Sequence, residues 1–341
     1  MRAVVFNGRL SFDPNHPDPR PAQGECLVRV RYAGICSTDL QIINGYMNFT
    51  GVLGHEMVGT VTTGPAKWQG KRVACEINCV CRRCDMCQAG LANHCRDRTV
   101  MGILGRDGCF ADAIVIPQRN LHEVPDAVTD EEAVFIEPLA AAYQVLQQCP
   151  VEPRTRVSVL GSGKLGLLVA QVLAATGCKL DVIGRNPKTL VMAEKLRIQP
   201  YSIDDVIPKQ DRDIVVECTG SPEGLALAMQ LVRPRGTIVL KTTHAPVRRS
   251  SAEHQGSSAG RQGPSLPYCA VNLAPIVVNE VTLLGSRCGP FPEAIQALAR
   301  KAISTEPMIS QIYTLDKGLE ALDAARQPGT LKVLLRVNPK P

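Results

Sequence analysis

Long apolar runs are absent from this sequence, and aromatic residues are scarce. Hydrophobic residues make up 45% of the 341 positions, yet no stretch approaches the roughly 18 consecutive apolar residues that a membrane-spanning helix needs. Aromatic residues account for only 4% of the chain, which gives no indication of a large apolar pocket. We therefore expect a globular protein without a membrane partner, and a chain of this length predicts two domains.

A targeting segment and a basic cluster are also lacking. The opening residues, MRAVVFNGRL, contain neither the apolar core of a signal peptide nor the Ser-rich length of a transit peptide, so we expect a cytosolic, cytoplasmic protein. The formal net charge is +6, but the basic residues are scattered rather than gathered in one run. Nucleic-acid binding is therefore not indicated.

Cysteine, by contrast, is abundant. A cytosolic chain with 14 cysteines is expected to use them as thiols, metal ligands or redox groups rather than as a disulfide framework. Four of them are separated by two, two and seven residues: Cys81, Cys84, Cys87 and Cys95. Four thiolates at such short separations can close a tetrahedron around Zn²⁺ with no open position, which predicts a structural zinc site. A disulfide pair is the alternative, and Cys75 and Cys79 are interpreted as ordinary thiols.

Two short clusters, at residues 34–39 and 54–56, predict a second metal site. They supply a thiolate, an imidazole and a carboxylate from Cys36, His55 and Glu56. This combination suits a zinc ion that keeps one coordination position open, as a catalytic metal must. For a single Cys and His, a buried thiol and a core histidine would be the alternative interpretation.

The two halves of the chain differ in their predicted secondary structure. Residues 1–125 alternate apolar and polar positions between Gly and Pro, which predicts a β-rich barrel or sandwich. From residue 156 onward, apolar strands alternate with helices, which predicts a doubly wound parallel sheet. The predicted strands are 156–160, 180–183, 213–217, 236–241 and 281–287, with helices at 167–176, 188–196 and 222–232. Helices at 293–302 and 317–325 and a strand at 331–337 close the chain.

The first strand of the second half leads into a glycine-rich turn. The turn consists of Gly161, Ser162, Gly163, Lys164, Leu165 and Gly166. A strand, a glycine turn and a helix in this order are what the pyrophosphate of a dinucleotide needs. The backbone can approach it closely at Gly163, and the amides at the helix N-terminus are unpaired. The sequence therefore predicts a dinucleotide cofactor.

Taken together, these motifs resemble those of the zinc-dependent medium-chain dehydrogenase/reductase superfamily, close to its sorbitol and threonine dehydrogenase branches. The resemblance is carried by GICSTDL at 34–40, GHE at 54–56, the four cysteines, GCFAD at 108–112, EPLA at 137–140 and the glycine turn. It implies an α/β fold with a GroES-like catalytic domain at residues 1–140 and 291–341. A Rossmann domain with a doubly wound parallel sheet would occupy residues 141–290, with the active site in the cleft.

The resemblance also implies an activity: hydride transfer between an alcohol or polyol, or the matching carbonyl compound, and a nicotinamide cofactor. Cys36 and His55 would be catalytic zinc ligands, and Glu56 and Glu137 would both lie within reach of the metal. Family members differ in whether either carboxylate binds the metal, exchanges with the other or holds a water molecule. Zinc lowers the pKa of a bound water from about 15.7 to roughly 7, and we expect an alcohol to respond similarly.

Two residues next to the first ligand match further family positions. Thr38 matches the hydroxyl that passes the proton away from the substrate oxygen, although a hydroxyl bonded to nearby backbone is a common alternative. Asp39 matches a carboxylate that holds the His55 ring in its tautomer. The alternative roles of the two glutamates are orientation of a neighbouring group by Glu56 and a favourable helix-dipole interaction of Glu137.

The end of the second strand of the cofactor sheet indicates which nicotinamide is used. NAD enzymes place an acidic residue there, which accepts hydrogen bonds from the adenosine ribose. Here the strand ends at Gly184, followed by Arg185 and then Lys188, which leaves room for a 2′-phosphate and offers donors to it. Asp181 lies in mid-strand, where its side chain should not reach the ribose. We therefore expect NADP, with NAD as the alternative.

Three more residues are placed near the cofactor by the resemblance. Cys218 and Thr219 follow the strand at 213–217, and Arg287 follows the last strand, where it would bind cofactor or substrate or simply lie on the surface. Residues 244–267 are rich in Ser, Gly, Gln and Arg and predict a flexible surface insertion, with a lid as the alternative.

The predicted partners are a small alcohol or carbonyl substrate and a second copy of the chain. An apolar last strand offers an edge for pairing, so we expect a homodimer or a homotetramer. Two other functions stay open: a zinc-independent quinone or enoyl reductase of the same superfamily, and a non-catalytic protein that binds dinucleotide and zinc. Two zinc ions per chain, one catalytic and one structural, would favour the alcohol dehydrogenase.

Overall fold

The computed structural model describes residues 1–243 and 271–338, and the insertion predicted at 244–267 lies outside them. The chain forms two compact units, one of Met1–Gln147 with Cys288–Pro341 and one of Gln148–Arg287. The boundaries predicted from the sequence, at 140 and 290, lie a few residues away. None of the helices in the described part combines the length and the apolar character that crossing a bilayer requires.

Both units mix strands and helices, which confirms the predicted α/β class. The strands are β1 (Ala3–Phe6), β2 (Leu10–Asp13), β3 (Glu25–Ile35), β4 (Gly51–Val52), β5 (Glu56–Thr63), β6 (Arg72–Cys75), β7 (Asn78–Cys79), β8 (Thr99–Met101), β9 (Gly105–Arg106), β10 (Ala113–Pro117), β11 (Leu121–Glu123), β12 (Arg156–Leu160), β13 (Lys179–Gly184), β14 (Gln199–Ser202), β15 (Arg212–Glu217), β16 (Val232–Leu240), β17 (Thr282–Gly285), β18 (Ile309–Thr314) and β19 (Lys332–Arg336). The helices are α1 (Ser37–Ile43), α2 (Asp85–Gln88), α3 (Asp130–Ala133), α4 (Ile136–Gln148), α5 (Lys164–Ala174), α6 (Pro187–Lys195), α7 (Pro222–Leu231), α8 (Ala274–Val278), α9 (Phe291–Ala299) and α10 (Gly318–Ala325).

A seven-stranded sheet forms the centre of the first unit. Its order is β11-β6-β5-β3-β19-β18, and β10 also pairs with β3. The first half of β3 alternates buried and more exposed side chains, as a strand with one face on a core does. Strand β19 runs antiparallel to β3, with Val333 opposite Ile35. The C-terminal segment therefore completes the sheet that the first residues of the chain begin.

A six-stranded parallel sheet forms the second unit. Its order is β14-β13-β12-β15-β16-β17, and every neighbouring pair is parallel. This is the doubly wound order of a Rossmann sheet, in which the strand order reverses between β12 and β15. Ligands of such sheets bind beyond the carboxyl ends of the strands at that reversal. The glycine turn that follows β12 therefore lies where a dinucleotide is expected.

Some element boundaries differ from the sequence predictions. Helix α5 begins at Lys164 rather than at Leu167, because Gly163 already has the extended backbone of an N-cap. Strand β16 begins at Val232 rather than at Gly236, and a register shift in its pairing with β15 accompanies the earlier start. Strands β14 and β18 were not predicted. In β14 the proline Pro200 argues against a strand, yet the strand lies at the sheet edge, where proline is tolerated.

Candidate active site

The four-cysteine cluster is assembled around the short helix α2. The Sγ atom of Cys95 lies 3.4 Å from Sγ of Cys81 and 3.8 Å from Sγ of Cys84. With Zn–S bonds of about 2.3 Å, a tetrahedral zinc–thiolate centre has S–S edges of about 3.8 Å. All four cysteines are thiols rather than disulfides, and their sulfur atoms lie within 4.8 Å of one another. The residues present therefore fit a structural zinc ion.

Backbone amides favour the thiolate form of one member of this cluster, Cys84. Hydrogen bonds from the backbone amides of Arg96 and Cys87 lower the pKa of the Cys84 thiol to about 6. The Arg96 side chain is itself held by Asp85 through two hydrogen bonds of 2.7 Å. Because zinc binds thiolates rather than thiols, these donors favour the metal-binding form of Cys84.

The second predicted cluster lies where β3, β5 and β19 meet. Strand β3 ends at Ile35, directly before Cys36, and β5 begins at Glu56. The register places Gly34 opposite Glu56 and Val333 opposite Ile35. Antiparallel pairing thus brings residues from three distant segments to one end of the sheet.

Three of the four predicted ligands of the catalytic zinc form one group. Cys36, His55 and Glu56 each offer a ligand atom, and these atoms lie within 4.8 Å of one another. His55 and Glu56 are buried, whereas Cys36 is half-buried. Among the described residues, this group does not include Glu137, the second residue of α4, which the sequence placed within reach of the metal.

Asp39 orients two members of this group. It is fully buried in the first turn of α1. One carboxylate oxygen lies 3.1 Å from Nδ1 of His55, and the other accepts the backbone amide of Cys36 at 2.8 Å. Burial lowers the pKa of His55, but the Asp39 carboxylate and the Cys36 side chain together raise it by more, so that this pKa lies well above its ordinary value. The contact occupies Nδ1 and leaves Nε2 for a metal.

Thr38 lies on the same helical turn as Asp39. Its Oγ1 atom is 3.7 Å from Sγ of Cys36, and its side chain is half-buried. The hydroxyl group is therefore next to a proposed ligand and keeps contact with solvent.

A buried cation that was not predicted from the sequence lies beside Glu56. Lys332, the first residue of β19, is fully buried, and its Nζ donates to Oε2 of Glu56 at 2.5 Å. The other oxygen, Oε1, is also buried and has no hydrogen-bond partner among the described residues. An unsatisfied carboxylate oxygen beside a thiolate and an imidazole fits a zinc ion. A lone Lys inside the apolar stretch LKVLLRV could have revealed this residue, since a charge in a buried strand needs a partner.

Glycines make room for this group and hold its loop. A Cβ on Gly34 would lie 2.4 Å from Oε2 of Glu56. Gly54 has a φ of +95°, and a Cβ there would lie 2.2 Å from the ring of Phe110. The carbonyl of Gly54 accepts the amide of Cys109 at 2.9 Å. The GCFAD motif therefore supports the loop that carries His55.

In the second unit, the three glycines of the turn have three different surroundings. Gly161 has a φ of +103°, which makes the tight turn. A Cβ on Gly163 would meet no atom within 4 Å, whereas one on Gly166 would lie 1.8 Å from the carbonyl oxygen of Gly161. Lys164 and Leu165 form the first turn of α5. These are the roles that a dinucleotide-binding turn needs: a bend, an open approach and close helix packing.

The tip of β13 has no space for an acidic side chain. A Cβ on Gly184 would lie 2.1 Å from Oγ of Ser162, which is hydrogen-bonded to Oγ1 of Thr189 at 2.6 Å. Arg185 and Lys188 follow this tip and are exposed. The strand end therefore offers cationic side chains and no carboxylate.

Asp181, the one acidic residue of β13, is engaged elsewhere. Oγ of Ser158 donates to one of its oxygens at 2.5 Å, and Nη2 of Arg212 donates to the other at 2.9 Å. Burial raises the pKa of Asp181 in spite of these two partners. Its side chain thus forms hydrogen bonds within the sheet and does not extend toward the strand tip.

The loops after β15 and β17 carry the remaining predicted cofactor residues. A Cβ on Gly161 would lie 3.1 Å from the carbonyl carbon of Cys218 and 3.3 Å from Cγ2 of Thr219, so this loop lies against the glycine turn. The side chain of Arg287 is exposed. Its carbonyl oxygen accepts a hydrogen bond at 3.0 Å from the buried Lys241, a second lysine that the sequence analysis did not single out.

Known proteins resemble this chain in sequence and in fold. Residues 22–126 match the alcohol dehydrogenase GroES-like domain family. A sorbitol dehydrogenase of Halalkalibacterium halodurans is 25% identical over an alignment of 342 positions, which covers 94% of this chain and 93% of that protein. A protein of Sinorhizobium meliloti that is described as a zinc-binding dehydrogenase and is bound to NADP is 26% identical, with a TM-score of 0.83 over 98% of both chains. A short chain alcohol dehydrogenase of Escherichia coli, complexed with NADH, is 27% identical with a TM-score of 0.83 over 98% of this chain and 99% of that one.

Proposed function

Because the chain belongs to the medium-chain dehydrogenase/reductase superfamily, in its sorbitol dehydrogenase-like branch, we propose that it is a zinc-dependent dehydrogenase of polyols or small secondary alcohols that uses NADP. The broader activity, nicotinamide-dependent oxidation of alcohols or polyols, follows from the same relatives. The zinc ion, the choice of NADP and the substrate class are the parts that experiments must test.

One observation carries the zinc proposal. A thiolate, an imidazole and a carboxylate from Cys36, His55 and Glu56 converge within 4.8 Å, and one buried oxygen of Glu56 has no hydrogen-bond partner among the described residues. Three protein ligands with a further position open are the arrangement of catalytic rather than structural zinc. A quinone or enoyl reductase without zinc would have no use for this group.

The chain's own residues supply the positioning and the proton path. When bound, Zn²⁺ acts as a Lewis acid that polarises the oxygen of an alcohol or carbonyl substrate. Asp39 keeps Nδ1 of His55 occupied, so that the imidazole binds through Nε2. Thr38 lies 3.7 Å from the Cys36 sulfur and keeps contact with solvent, so its hydroxyl carries the substrate proton outward. A bound nicotinamide would supply the hydride acceptor, and the glycine turn at 161–166 would hold the pyrophosphate of the cofactor.

The strand tip in the second unit supports NADP. A carboxylate that would repel a 2′-phosphate has no space at Gly184, because Ser162 occupies the region where its Cβ would lie. Arg185 and Lys188 are exposed beside the tip and are suited to a dianionic phosphate. Asp181 is held by Ser158 and Arg212, so it does not replace the missing ribose ligand.

Metal analysis of the purified protein tests the zinc proposal. We expect two zinc ions per chain in the wild type and one in Cys36→Ser, with the remaining ion in the four-cysteine cluster. Cys109→Ser is the matched control, because Cys109 is buried next to Glu56 but outside the metal group. One zinc ion in the wild type, with none lost in Cys36→Ser, would argue against a catalytic metal.

A substrate panel tests the activity and the cofactor. Polyols, sugars, hydroxy-amino acids and small secondary alcohols are mixed with NADP or NAD, and nicotinamide absorbance reports turnover. We expect activity with a polyol or a secondary alcohol and a higher kcat/KM with NADP. A strong preference for NAD would refute the cofactor assignment, and a lack of turnover with every polyol and secondary alcohol would refute the substrate class.

A further inference from the structure

The ion pair between Lys332 and Glu56 is completely buried. The side chains of both residues are 1% exposed, and Nζ lies 2.5 Å from Oε2. The ammonium group also lies 5.5 Å from the centroid of the Phe135 ring. Burying two charges is costly before they attract each other, so a buried ion pair is by itself weak evidence for a stabilising role.

The pairing is also incomplete, which distinguishes it from a purely structural ion pair. In a structural pair, hydrogen bonds satisfy the remaining oxygens of the carboxylate. Here Oε1 of Glu56 is buried without such a bond among the described residues, while Glu56 belongs to the group with Cys36 and His55. The carboxylate therefore lies between two cationic positions, the lysine on one oxygen and the metal site on the other.

The strand register explains how the lysine reaches this position. Strand β3 pairs with β5 on one side and with β19 on the other. Gly34 in β3 is opposite both Glu56 in β5 and Leu334 in β19. Lys332 starts β19 at the same end of the sheet, so the sheet itself holds the ammonium group in place.

We propose that Lys332 acts on the metal site through Glu56: it binds one carboxylate oxygen, leaves the other oxygen to the metal and raises the charge of the metal centre by one unit. The inference rests on the proposed zinc site. Zn²⁺ with the thiolate of Cys36 and the carboxylate of Glu56 is formally neutral, and the ammonium group adds one positive charge. Whatever Glu137 contributes, removal of Lys332 lowers the total by one.

This added charge has two opposite consequences. The ammonium group competes with the metal for the same carboxylate and repels it, so it weakens metal binding. The same charge withdraws electrons from the metal centre and so strengthens its polarising effect on the substrate. Lys332 thus exchanges some metal affinity for catalytic strength, which a lysine with a merely structural role would not do.

Zinc affinity measured by competition with a chromogenic chelator tests the first consequence. The zinc that Cys36→Ser still binds is assigned to the four-cysteine cluster, and this contribution is subtracted from the zinc binding of each protein. We expect Lys332→Met to bind zinc more tightly than the wild type, by about ten-fold, because the charge that repels the metal is removed. Loss of a residue that only positions a ligand would instead weaken zinc binding by about 10–100-fold. Lys332→Arg keeps the charge and is expected to bind about as the wild type does. Equal or weaker zinc binding by Lys332→Met would overturn the proposal.

The pH profile of kcat tests the second consequence. We expect its midpoint to lie at higher pH in Lys332→Met and near the wild-type value in Lys332→Arg, because a less positive centre lowers the acidity of the substrate. A profile that is identical in all three proteins, with only the melting temperature changed, would assign Lys332 a structural role.

A second pair of variants covers the case in which Lys332→Met does not fold. Glu56→Gln leaves the ammonium group without its counter-ion, whereas Glu56→Gln with Lys332→Met contains a neutral pair. We expect the double variant to bind zinc more tightly than Glu56→Gln, and equal affinities would overturn the proposal. If Cys36→Ser contains as much zinc as the wild type, the zinc site itself is refuted, and the inference with it.

Discussion

Glu56 can occupy its position because Gly34 has no Cβ atom. A Cβ on Gly34 would lie 2.4 Å from Oε2 of Glu56 and 2.6 Å from Cγ1 of Val134. The carboxylate is fully buried and bonded to Lys332, so it cannot move aside without losing that partner. Glycine at this position is therefore needed for the metal group as well as for the packing of β3 against β5.

We expect Gly34→Ala to lower the free energy of unfolding by about 1–3 kcal/mol, the usual cost of overpacking a core. The zinc content of the Cys36 site should fall as well, because the new methyl group displaces Glu56. Chemical denaturation measures the first effect, and metal analysis after dialysis measures the second. Gly285→Ala is the control, since a Cβ there meets no atom within 4 Å. Wild-type stability and zinc content in Gly34→Ala would contradict this account.

Cofactor choice is also decided by single residues. We expect Arg185→Ala to weaken NADPH binding by about ten-fold or more, since a hydrogen bond to a charged group contributes about 1.5–3 kcal/mol. NADH binding should be nearly unchanged, because it lacks the 2′-phosphate. Nicotinamide fluorescence measures both dissociation constants without turnover. Lys195→Ala, at the far end of α6 and equally exposed, is the control. Equal losses for the two cofactors would place Arg185 away from the 2′-phosphate.

At the scale of elements, two glycines of the turn before α5 have different roles, one in folding and the other in cofactor binding. Gly166 packs against the carbonyl oxygen of Gly161, whereas a Cβ on Gly163 would enter open space. A methyl group on residue 166 disturbs the junction of strand and helix. A methyl group on residue 163 occupies only the space that a pyrophosphate needs.

We therefore expect Gly163→Ala to fold with wild-type stability and to lose nicotinamide binding, whereas Gly166→Ala should lose both. Thermal unfolding of the free protein and fluorescence titration with NADPH separate these outcomes. A Gly163→Ala variant that binds NADPH as the wild type does would show that the cofactor does not approach the turn at this point.

At the scale of the whole molecule, the last strand belongs to the first unit. Strand β19 lies between β3 and β18, and Asn338 donates to the carbonyl oxygens of Val30 and Asp112 at 3.0 and 3.1 Å. The chain therefore cannot complete this sheet until its C-terminal segment is available.

We expect a chain that ends at Gly329 to lose the cooperative unfolding of the first unit and its zinc binding. Removing β19 exposes the edge of β3 and so takes away the support of the strand end that precedes Cys36. Calorimetry and metal analysis are the measurements, and a chain that ends at Asn338 is the control. A cooperative transition of wild-type enthalpy in the shorter chain would contradict a central role for β19.

The sequence by itself determined the features that short segments contain. The four cysteines, the thiolate and imidazole of the second site and the glycine turn were all readable, because their chemistry depends on spacing within a few residues. The order of strands and helices around the turn predicted the Rossmann sheet for the same reason. The absence of an acid at Gly184 was equally visible in the sequence.

Only the tertiary structure decided which distant groups meet. Glu56 and Lys332 are separated by 276 positions, and Asp181 is paired with an arginine from another strand. Glu137 is not in the group of ligand atoms that lie within 4.8 Å of one another, and its reach to the metal stays a prediction. The two pairs depend on the register of strands that are not consecutive in the sequence. Register is set by the packing of whole sheets, so no local spacing encodes it.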